Sequence, residues 1–297
     1  MDDHTMAPCA RSFDIFRRVL VVVGGLATFV SIPVHAQRSD SVPPGTNADH
    51  RLSVFTRSDA WILGGFIAGT VAMRPFDKEI ANEIREPGFQ ANGFASHSAK
   101  VFNFLGDPGT VIGGVALYGI GRIGHFQRVA DLGLHGTEAV IVSGAITYVL
   151  KGIAGRQRPG HAGVNDPDDF KLGGGFGAGG NASFPSGHAT AAFAAATIVT
   201  LETRRWWPKS TWYIAPVMFG GATMVGVARL YTNAHWASDV VMGAGIGTIT
   251  ALKVFRFNHV TAPGNRVDRW LLGAVPAVSP GPSGRGAMMV WSFAAPR

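Results

Sequence analysis

A lysine and an arginine close together in the chain form the first group that could do chemistry. Lys151 ends an apolar segment, and Arg158 follows in the string KGIAGRQRP, where Pro159 stiffens the backbone. Lysine supplies a mobile point charge and arginine a rigid fork of donors, and together they suit the oxygens of a phosphoryl group. Basic residues near the end of a helix also compensate its dipole, so this string alone fits either interpretation.

The second group is a Pro-Ser-Gly-His sequence that opens an alanine-rich segment. Ser186, Gly187 and His188 lie at its start. A helix that begins here points its first backbone N–H groups outward, which makes an anion site. Ser186 adds a hydroxyl donor, Gly187 lets the backbone approach an anion closely, and a histidine can transfer protons near neutral pH. The alternative is a plain serine N-cap followed by an incidental histidine.

The third group lies in the string ARLYTNAHWASD, which contains Arg229, His235 and Asp239. The histidine and the aspartate are four residues apart, so on one helical turn their side chains face each other. A carboxylate on one ring nitrogen fixes the tautomer and leaves the other nitrogen free to attack. Such pairs are also common on solvated helix faces.

The order and spacing of the three groups identify a family resemblance. With 25 residues between Pro159 and Pro185 and 40 between His188 and Arg229, residues 130–255 resemble the type 2 phosphatidic acid phosphatase family. Its superfamily also holds bacterial class A acid phosphatases, lipid phosphate phosphatases and vanadium haloperoxidases. One departure is Ala228, where the family usually has serine. We expect this to cost a supporting hydrogen bond but not activity.

The resemblance implies an all-α core and a role for each matched residue. His235 would be the nucleophile that forms a phosphohistidine, Asp239 its orienting partner, and His188 the acid that protonates the leaving alcohol and later activates water. The phosphoryl oxygens would be held by Lys151, Arg158, Ser186, Gly187 and Arg229. The family site is metal-independent, so no metal and no cofactor are expected.

The resemblance therefore predicts a phosphatase that acts on phosphomonoesters or lipid phosphates. Its ligand would be a phosphorylated small molecule or a lipid phosphate. One alternative is a vanadate-dependent haloperoxidase, in which His235 would be the axial vanadate ligand. Another is a non-catalytic envelope protein that keeps an anion pocket. The chain has a net charge of +7 but no basic run, so a nucleic-acid partner is not expected.

The elements that must position these groups are predicted to be helices. Six apolar segments, rich in glycine and alanine, lie at about 59–74, 109–121, 132–151, 188–201, 211–230 and 239–254. They predict a helical bundle of about six core helices, with close helix contacts. Residues 160–184 form a glycine-rich surface loop. The tail predicts either a short C-terminal β-hairpin or a disordered end.

The N-terminal 36 residues have the pattern of a signal peptide. Arg11, Arg17 and Arg18 precede the apolar residues 19–34, and a small-x-small sequence ends at Ala36. The predicted organisation is therefore a signal peptide at 1–36, a linker at 37–52, a phosphatase-type domain at 53–262 and a tail at 263–297. Cys9, the single cysteine, lies in the signal segment, so no disulfide or cysteine metal site is expected.

The uninterrupted apolar runs are mostly shorter than a membrane span. The run before Lys151, for example, begins only after Glu138. They favour a soluble or peripherally attached bundle, exported to the periplasm or cell envelope. An integral inner-membrane protein is the alternative. Arg156 is predicted to face solvent, and the histidines outside the three groups, including His135 and His259, are interpreted as structural or surface residues.

Overall fold

The computed structural model describes residues 54–163, 165–177, 179–280 and 287–293. The predicted signal peptide and the linker lie outside the described residues. The α-helices are α1 (Arg57–Met73), α2 (Asp77–Ile84), α3 (Pro87–Gln90), α4 (Gly93–Gly106), α5 (Gly109–Ile123), α6 (Gln127–Ala154), α7 (Gly187–Trp206), α8 (Thr211–Tyr231), α9 (Ala237–Arg256) and α10 (Arg266–Gly273). Short 3-10 turns lie at Arg74–Phe76, His161–Gly163, Gly174–Phe176 and Pro208–Ser210, and a π-helical turn lies at Phe257–Thr261.

The all-α prediction is confirmed, and each of the six apolar segments is a helix: α1, α5, α6, α7, α8 and α9. The helix α4 was missed because its sequence, GFASHSAKVFNFLG, carries polar residues on most turns. This helix packs against α8. It therefore belongs to the bundle, although its sequence is not apolar enough to predict a core helix.

The helix α7 lies at the centre of the bundle and contacts α6, α8 and α9. Its contact with α9 is close because α9 offers glycines on the facing side. A Cβ added at Gly243 would lie 2.5 Å from the carbonyl oxygen of Ser186, and one at Gly247 would lie 2.2 Å from that of Thr190. Larger residues at these two positions would push the N-terminus of α7 away from α9.

The bundle has the surface of a membrane protein. Three helical segments, Gln127–Ala154, Pro208–Tyr231 and Ala237–Thr261, are long and apolar enough to cross a membrane. Large apolar side chains are exposed along the outer faces of several helices, including Ile112, Val115, Ile141, Val149 and Val217. Exposed apolar side chains in such number mark contact with lipid or with other proteins.

The structure therefore favours the integral-membrane alternative over the predicted soluble bundle. The prediction used uninterrupted apolar runs, and polar residues that point inward broke those runs. Glu138 accepts a hydrogen bond from Asn258, and the Lys151 ammonium donates to the carbonyl oxygen of Ala182. The outer face of α6 is thus apolar over a greater length than the run itself.

The C-terminal tail forms a pair of strands. The strands β1 (Ala274–Pro280) and β2 (Ala287–Phe293) are antiparallel, with Ala274 opposite Phe293 and Pro280 opposite Ala287. Residues 281–286 between them lie outside the described residues. Of the two predictions for the tail, the paired strands agree with the hairpin.

Candidate functional site

The three sequence groups meet at one end of the bundle. The helix α6 ends beside Lys151, α7 begins at Gly187, α8 ends beside Arg229, and the turn after α8 carries His235 to the start of α9. Gly155 ends α6 with a left-handed backbone conformation (φ +60°), and a Cβ there would lie 1.8 Å from the carbonyl oxygen of Lys171. Only glycine lets the chain turn at this point.

The glycine-rich loop holds the segment that follows Gly155. Backbone N–H groups of Gln157 and Arg158 donate to the carbonyl oxygens of Asp169 and Gly180, and the N–H of Ser183 donates to the carbonyl oxygen of Arg156. This backbone pairing fixes Arg156 and Arg158 in space. The loop therefore holds site residues in position and is more than a surface connection between two helices.

Lys151, Arg158 and Arg229 form a group of cations, called here the cation group. Among the residues that the structure describes, no carboxylate oxygen lies within 4 Å of their charged nitrogens. Lys151 donates to the carbonyl oxygen of Ala182 (2.6 Å), and Arg229 donates to the amide oxygen of Asn103 (2.9 Å). The Nε atoms of Arg158 and Arg229 are buried without a hydrogen-bond partner in the described part of the chain. An anion would complete this set.

The positive charges of the cation group act on the ring of His188. This histidine is the second residue of α7, it is half-buried, and its ring is 3.3 Å from the position of a Cβ added at Gly106. Burial first, and then the charge of Arg229, lower the pKa of His188 to about 4, and the charges of Lys151 and Arg158 add to this effect. The four side chains therefore lie close enough together for the three positive charges to act on the His188 ring.

His235 is buried, and its orientation is set by a carbonyl group. Its Nδ1 donates to the carbonyl oxygen of Ser183 at 2.7 Å, whereas Oδ2 of Asp239 lies 3.7 Å away. The predicted role of Asp239 as the orienting partner therefore stays a prediction: its carboxylate is within ion-pair distance of the ring, but the Ser183 carbonyl oxygen is the nearer partner of Nδ1. The spacing brings the two side chains near each other, but the carboxylate is held by other donors. In the neutral ring, a donating Nδ1 leaves the lone pair on Nε2.

Burial lowers the pKa of the His235 ring to about 3, and the positive charge of Lys151 acts in the same direction. The ring is therefore neutral in the free protein at physiological pH. A neutral imidazole with a free Nε2 lone pair is the nucleophilic form.

The serine and the glycine at the start of α7 have different surroundings. Ser186 is the N-cap: its Oγ accepts from the N–H of Ala189 (3.4 Å), and its own N–H donates to the carbonyl oxygen of Asp239 (3.0 Å). The backbone N–H of Ser186 is thus already bonded within the protein, and its predicted contact with an anion through the hydroxyl group stays a prediction. A Cβ added at Gly187 would meet no atom within 4 Å, so this residue borders open space.

Beneath the pocket lies a set of buried residues that we call the buried network. Arg156 donates through Nη1 to Asp239 Oδ1 (2.5 Å) and Ser238 Oγ (2.8 Å), and through Nη2 to Asp77 Oδ2 (2.7 Å). Ser183 Oγ donates to the other oxygen of Asp239 (2.5 Å), and the N–H of Ser238 donates to Asp77. Each charge in this network has a partner.

The solvent-facing prediction for Arg156 is wrong, since its side chain is only 1% exposed. Its nearness to Arg158 in sequence was the available signal. Nothing in the sequence linked it to Asp77, which is 79 positions away and begins α2. Asp77, Arg156, Ser183 and Ser238 are the supporting residues that sequence reasoning did not find.

The arrangement can hold a tetrahedral oxyanion beside two imidazoles. One ring has a fixed orientation and a free lone pair, and the other stands among unpaired cations, where it can exchange a proton with a leaving group. The described side chains that could hold a metal ion, His135, Glu202 and His259, lie at the other end of the bundle.

Comparisons with known proteins agree with this geometry. A family model described as the PAP2 superfamily (type 2 phosphatidic acid phosphatases) matches residues 134–261. A lipid A 1-phosphatase of Porphyromonas gingivalis is 42% identical over 67 residues, which are 23% of this chain and 14% of that protein. The chain thus matches only about a seventh of this relative's length.

A solved structure also has this fold. The crystal structure of a transmembrane PAP2 type phosphatidylglycerolphosphate phosphatase from Bacillus subtilis superimposes with a TM-score of 0.51 and 19% sequence identity. The match covers 69% of this chain and 97% of that one. At this identity, the likeness shows the fold.

Proposed function

We propose that the chain, whose residues 134–261 match the PAP2 superfamily model, is a membrane phosphatase that hydrolyses phosphomonoester bonds of lipid phosphates. The observation that carries this proposal is the cation group, which has no carboxylate within 4 Å among the described residues and stands beside two histidines. Three unpaired cations next to a nucleophilic imidazole are suited to a phosphoryl group.

The first half of the reaction forms a covalent phosphoenzyme. Nε2 of His235 attacks phosphorus in line with the leaving alcohol, a P–N bond forms and the P–O bond to the alcohol breaks. Lys151, Arg158 and Arg229 stabilise the charge on the three equatorial oxygens. The hydrogen bond from Nδ1 to the Ser183 carbonyl oxygen holds the ring in line and stabilises its positive charge as it develops.

His188 would supply the proton that the leaving oxygen needs. In the free protein, burial and the cation group lower its pKa to about 4. A bound phosphate dianion neutralises part of that positive charge, which raises the pKa and favours protonation. The neutral ring then takes a proton from water, whose oxygen attacks phosphorus. The P–N bond breaks, and inorganic phosphate and His235 are released.

An apolar cavity supports a lipid as the substrate. It has a volume of about 300 Å³ and lies between α4, α5, α6, α7 and α8. Phe102, Leu105, Leu117 and Val217 are among its lining residues, and so is Val225, whose Cγ1 lies 2.5 Å from the position of a Cβ added at Gly106. Gly106 also borders His188, so the cavity runs close to the proposed leaving-group side. An acyl chain fits such a lining.

We further propose that the protein acts in the inner membrane. The spanning-length helices and the predicted export segment at 1–36 support this location. Fractionation tests it: the protein should remain with inner-membrane vesicles through a carbonate wash and require detergent for release. A protein released by the wash alone would contradict the integral location.

Phosphate release in detergent micelles tests the function. The protein should hydrolyse a phosphatidate faster than glycerol phosphate, with and without EDTA. The variant His235→Ala should lose activity by about 10³-fold or more, because the nucleophile is removed. His97→Ala changes an exposed histidine of α4 and should keep full activity. Equal rates for His235→Ala and the wild type, or no hydrolysis of any phosphomonoester, would overturn the proposal.

A further inference from the structure

A second cluster of chemically capable side chains lies at the end of the bundle opposite the phosphate site. Nδ1 of His135 is 2.9 Å from Oε1 of Glu202, and Nε2 of His259 is 2.5 Å from the same oxygen. These three residues, which we call the distal cluster, come from α6, α7 and the π-helical turn after α9. The proposed phosphatase mechanism makes no use of them.

The distance along α7 shows that the two sites are separate. His188 is in the first turn of this helix and Glu202 is in its last turns. At 1.5 Å per residue, they lie about 21 Å apart along the helix axis. A ligand at the distal cluster cannot touch a phosphoryl group held by the cation group.

The distal cluster is buried and incompletely satisfied. His135 is 2% exposed and Glu202 is fully buried. Nε2 of His135, Oε2 of Glu202 and Oδ1 of Asp268 have no hydrogen-bond partner in the described part of the chain. Nε2 of His135 and Oδ1 of Asp268 are 3.5 Å apart and can pair with each other, so Oε2 of Glu202 is the buried atom that a ligand would satisfy.

The surroundings of the distal cluster favour a cation. A cavity of about 440 Å³ adjoins it, and His135, His259, Asp131 and Asp268 are among its lining residues. Two guanidinium groups also line this cavity: that of Arg205, which is half exposed and 4.0 Å from Oε2 of Glu202, and that of Arg269, which is exposed. The cavity is therefore lined by carboxylates and imidazoles, and both arginines are exposed enough to turn toward solvent.

We propose that the distal cluster binds a divalent transition-metal ion, with zinc as the best fit. The first ligands would be Nδ1 of His135, Nε2 of His259 and a carboxylate oxygen of Glu202, and the cavity gives room for a water molecule as the fourth. Two imidazoles and one carboxylate are a ligand set that zinc accepts. The three ligand atoms lie within 4.8 Å of one another, close enough for small side-chain movements to complete the site.

Asp268 supplies the second feature of a histidine metal site. Its Oδ1 is 3.5 Å from Nε2 of His135, on the ring nitrogen that does not face Glu202. Histidines that bind metals usually donate their other N–H to a carboxylate, which fixes the tautomer and the ring. Asp268 would then be a positioning residue. Bound metal would tie α10 to α6 and α7 at this end of the bundle.

Metal content and unfolding test the proposal directly, and independently of any phosphatase activity. Protein without an affinity tag is stripped with a chelator in detergent, dialysed against micromolar zinc and analysed by elemental mass spectrometry. We expect about one zinc ion per chain and a higher midpoint of thermal unfolding. Cobalt in place of zinc should give the visible absorption of a four-coordinate site.

Variants decide whether the metal is held by these residues. His259→Ala and Glu202→Gln should each lose the bound zinc and the rise in unfolding midpoint, whereas His97→Ala should keep both. His259 is at the edge of the cluster and partly exposed, so its variant is the one expected to fold. Wild-type protein without bound metal, or equal zinc in His259→Ala and His97→Ala, would overturn the proposal.

Discussion

The cation group and the buried network lie next to each other, but the charges are paired in the network and unpaired in the cation group. In the buried network the guanidinium of Arg156 has a carboxylate on each side, Asp77 and Asp239. In the cation group, Arg158 has no such partner among the described residues, although it is only two positions further along the chain. Paired charges hold a structure in place, whereas unpaired charges of one sign are available to a ligand.

Within one site, the cation group is therefore expected to bind the ligand, and the buried network to hold the site residues in place. The phosphoryl group is expected to meet the unpaired charges, while the network beneath holds the start of α9 and the turn that carries His235. Asp239 connects the two regions, because it lies near the His235 ring and is hydrogen-bonded to Arg156 and Ser183. Variants in the two regions should therefore fail in different ways.

The largest expected effect on stability comes from Arg156→Gln. It leaves Asp77 and Asp239 buried without a cation, and removal of one partner from a buried pair costs about 3–5 kcal/mol. Denaturant unfolding in detergent measures the loss. Arg74→Gln is the matched control, since Arg74 pairs with Asp168 at an exposed position and should cost at most about 1 kcal/mol. Equal losses for the two variants would remove the distinction.

Arg158→Gln should do the opposite of Arg156→Gln. We expect the rate of phosphate release to fall by about 10²–10³-fold, because one positioned donor to the phosphoryl oxygens is lost. The unfolding midpoint should stay the same or rise, since the repulsion that Arg158 exerts on Lys151 and Arg229 is removed. A destabilised protein with normal activity would place Arg158 in the network instead.

A smaller effect is expected on the pH dependence of stability. The pKa of His235 falls from 6.5 to about 3 on folding, because burial disfavours the charged ring. The unfolded state then binds more protons as the pH drops below about 6.5, so stability is lost between that pH and the folded pKa. His235→Gln should lose less stability than the wild type from pH 7 to pH 4.5. Parallel pH curves would show that this ring is not buried in its neutral form.

The smallest expected effect comes from Ser183→Ala. Its hydroxyl donates to Asp239, but its carbonyl group, which orients His235, remains. We expect a stability loss of about 1 kcal/mol and a rate within about tenfold of the wild type. A loss as large as that of Arg158→Gln would mean that the hydroxyl, and not the carbonyl group, positions the ring.

The part of the site that could be predicted from sequence is the part built at helix ends. Lys151, His188, Arg229 and His235 sit within short strings where chemistry and local structure coincide, so their spacing was informative. Partners far apart in the chain gave no such signal. The distal cluster joins residues separated by 67 and 57 positions, and its two histidines were therefore interpreted as isolated.

The fold was predictable to a similar extent. Six apolar segments located the six core helices, but not α4, whose packing against α8 is decided by tertiary structure. The membrane character was missed because inward-pointing Glu138 and Lys151 shorten the apolar run of α6 without interrupting its outer face. Only the arrangement in space shows which side of a helix a charge occupies.

The most direct test of the central claim is to trap the phosphoenzyme. Wild-type protein is mixed with a radiolabelled phosphatidate, quenched within the first turnover and digested at alkaline pH, where phosphohistidine survives. The account predicts label on the peptide that contains His235, and none in the His235→Ala variant. Full hydrolysis without label on that peptide, or label on a different residue, would contradict it.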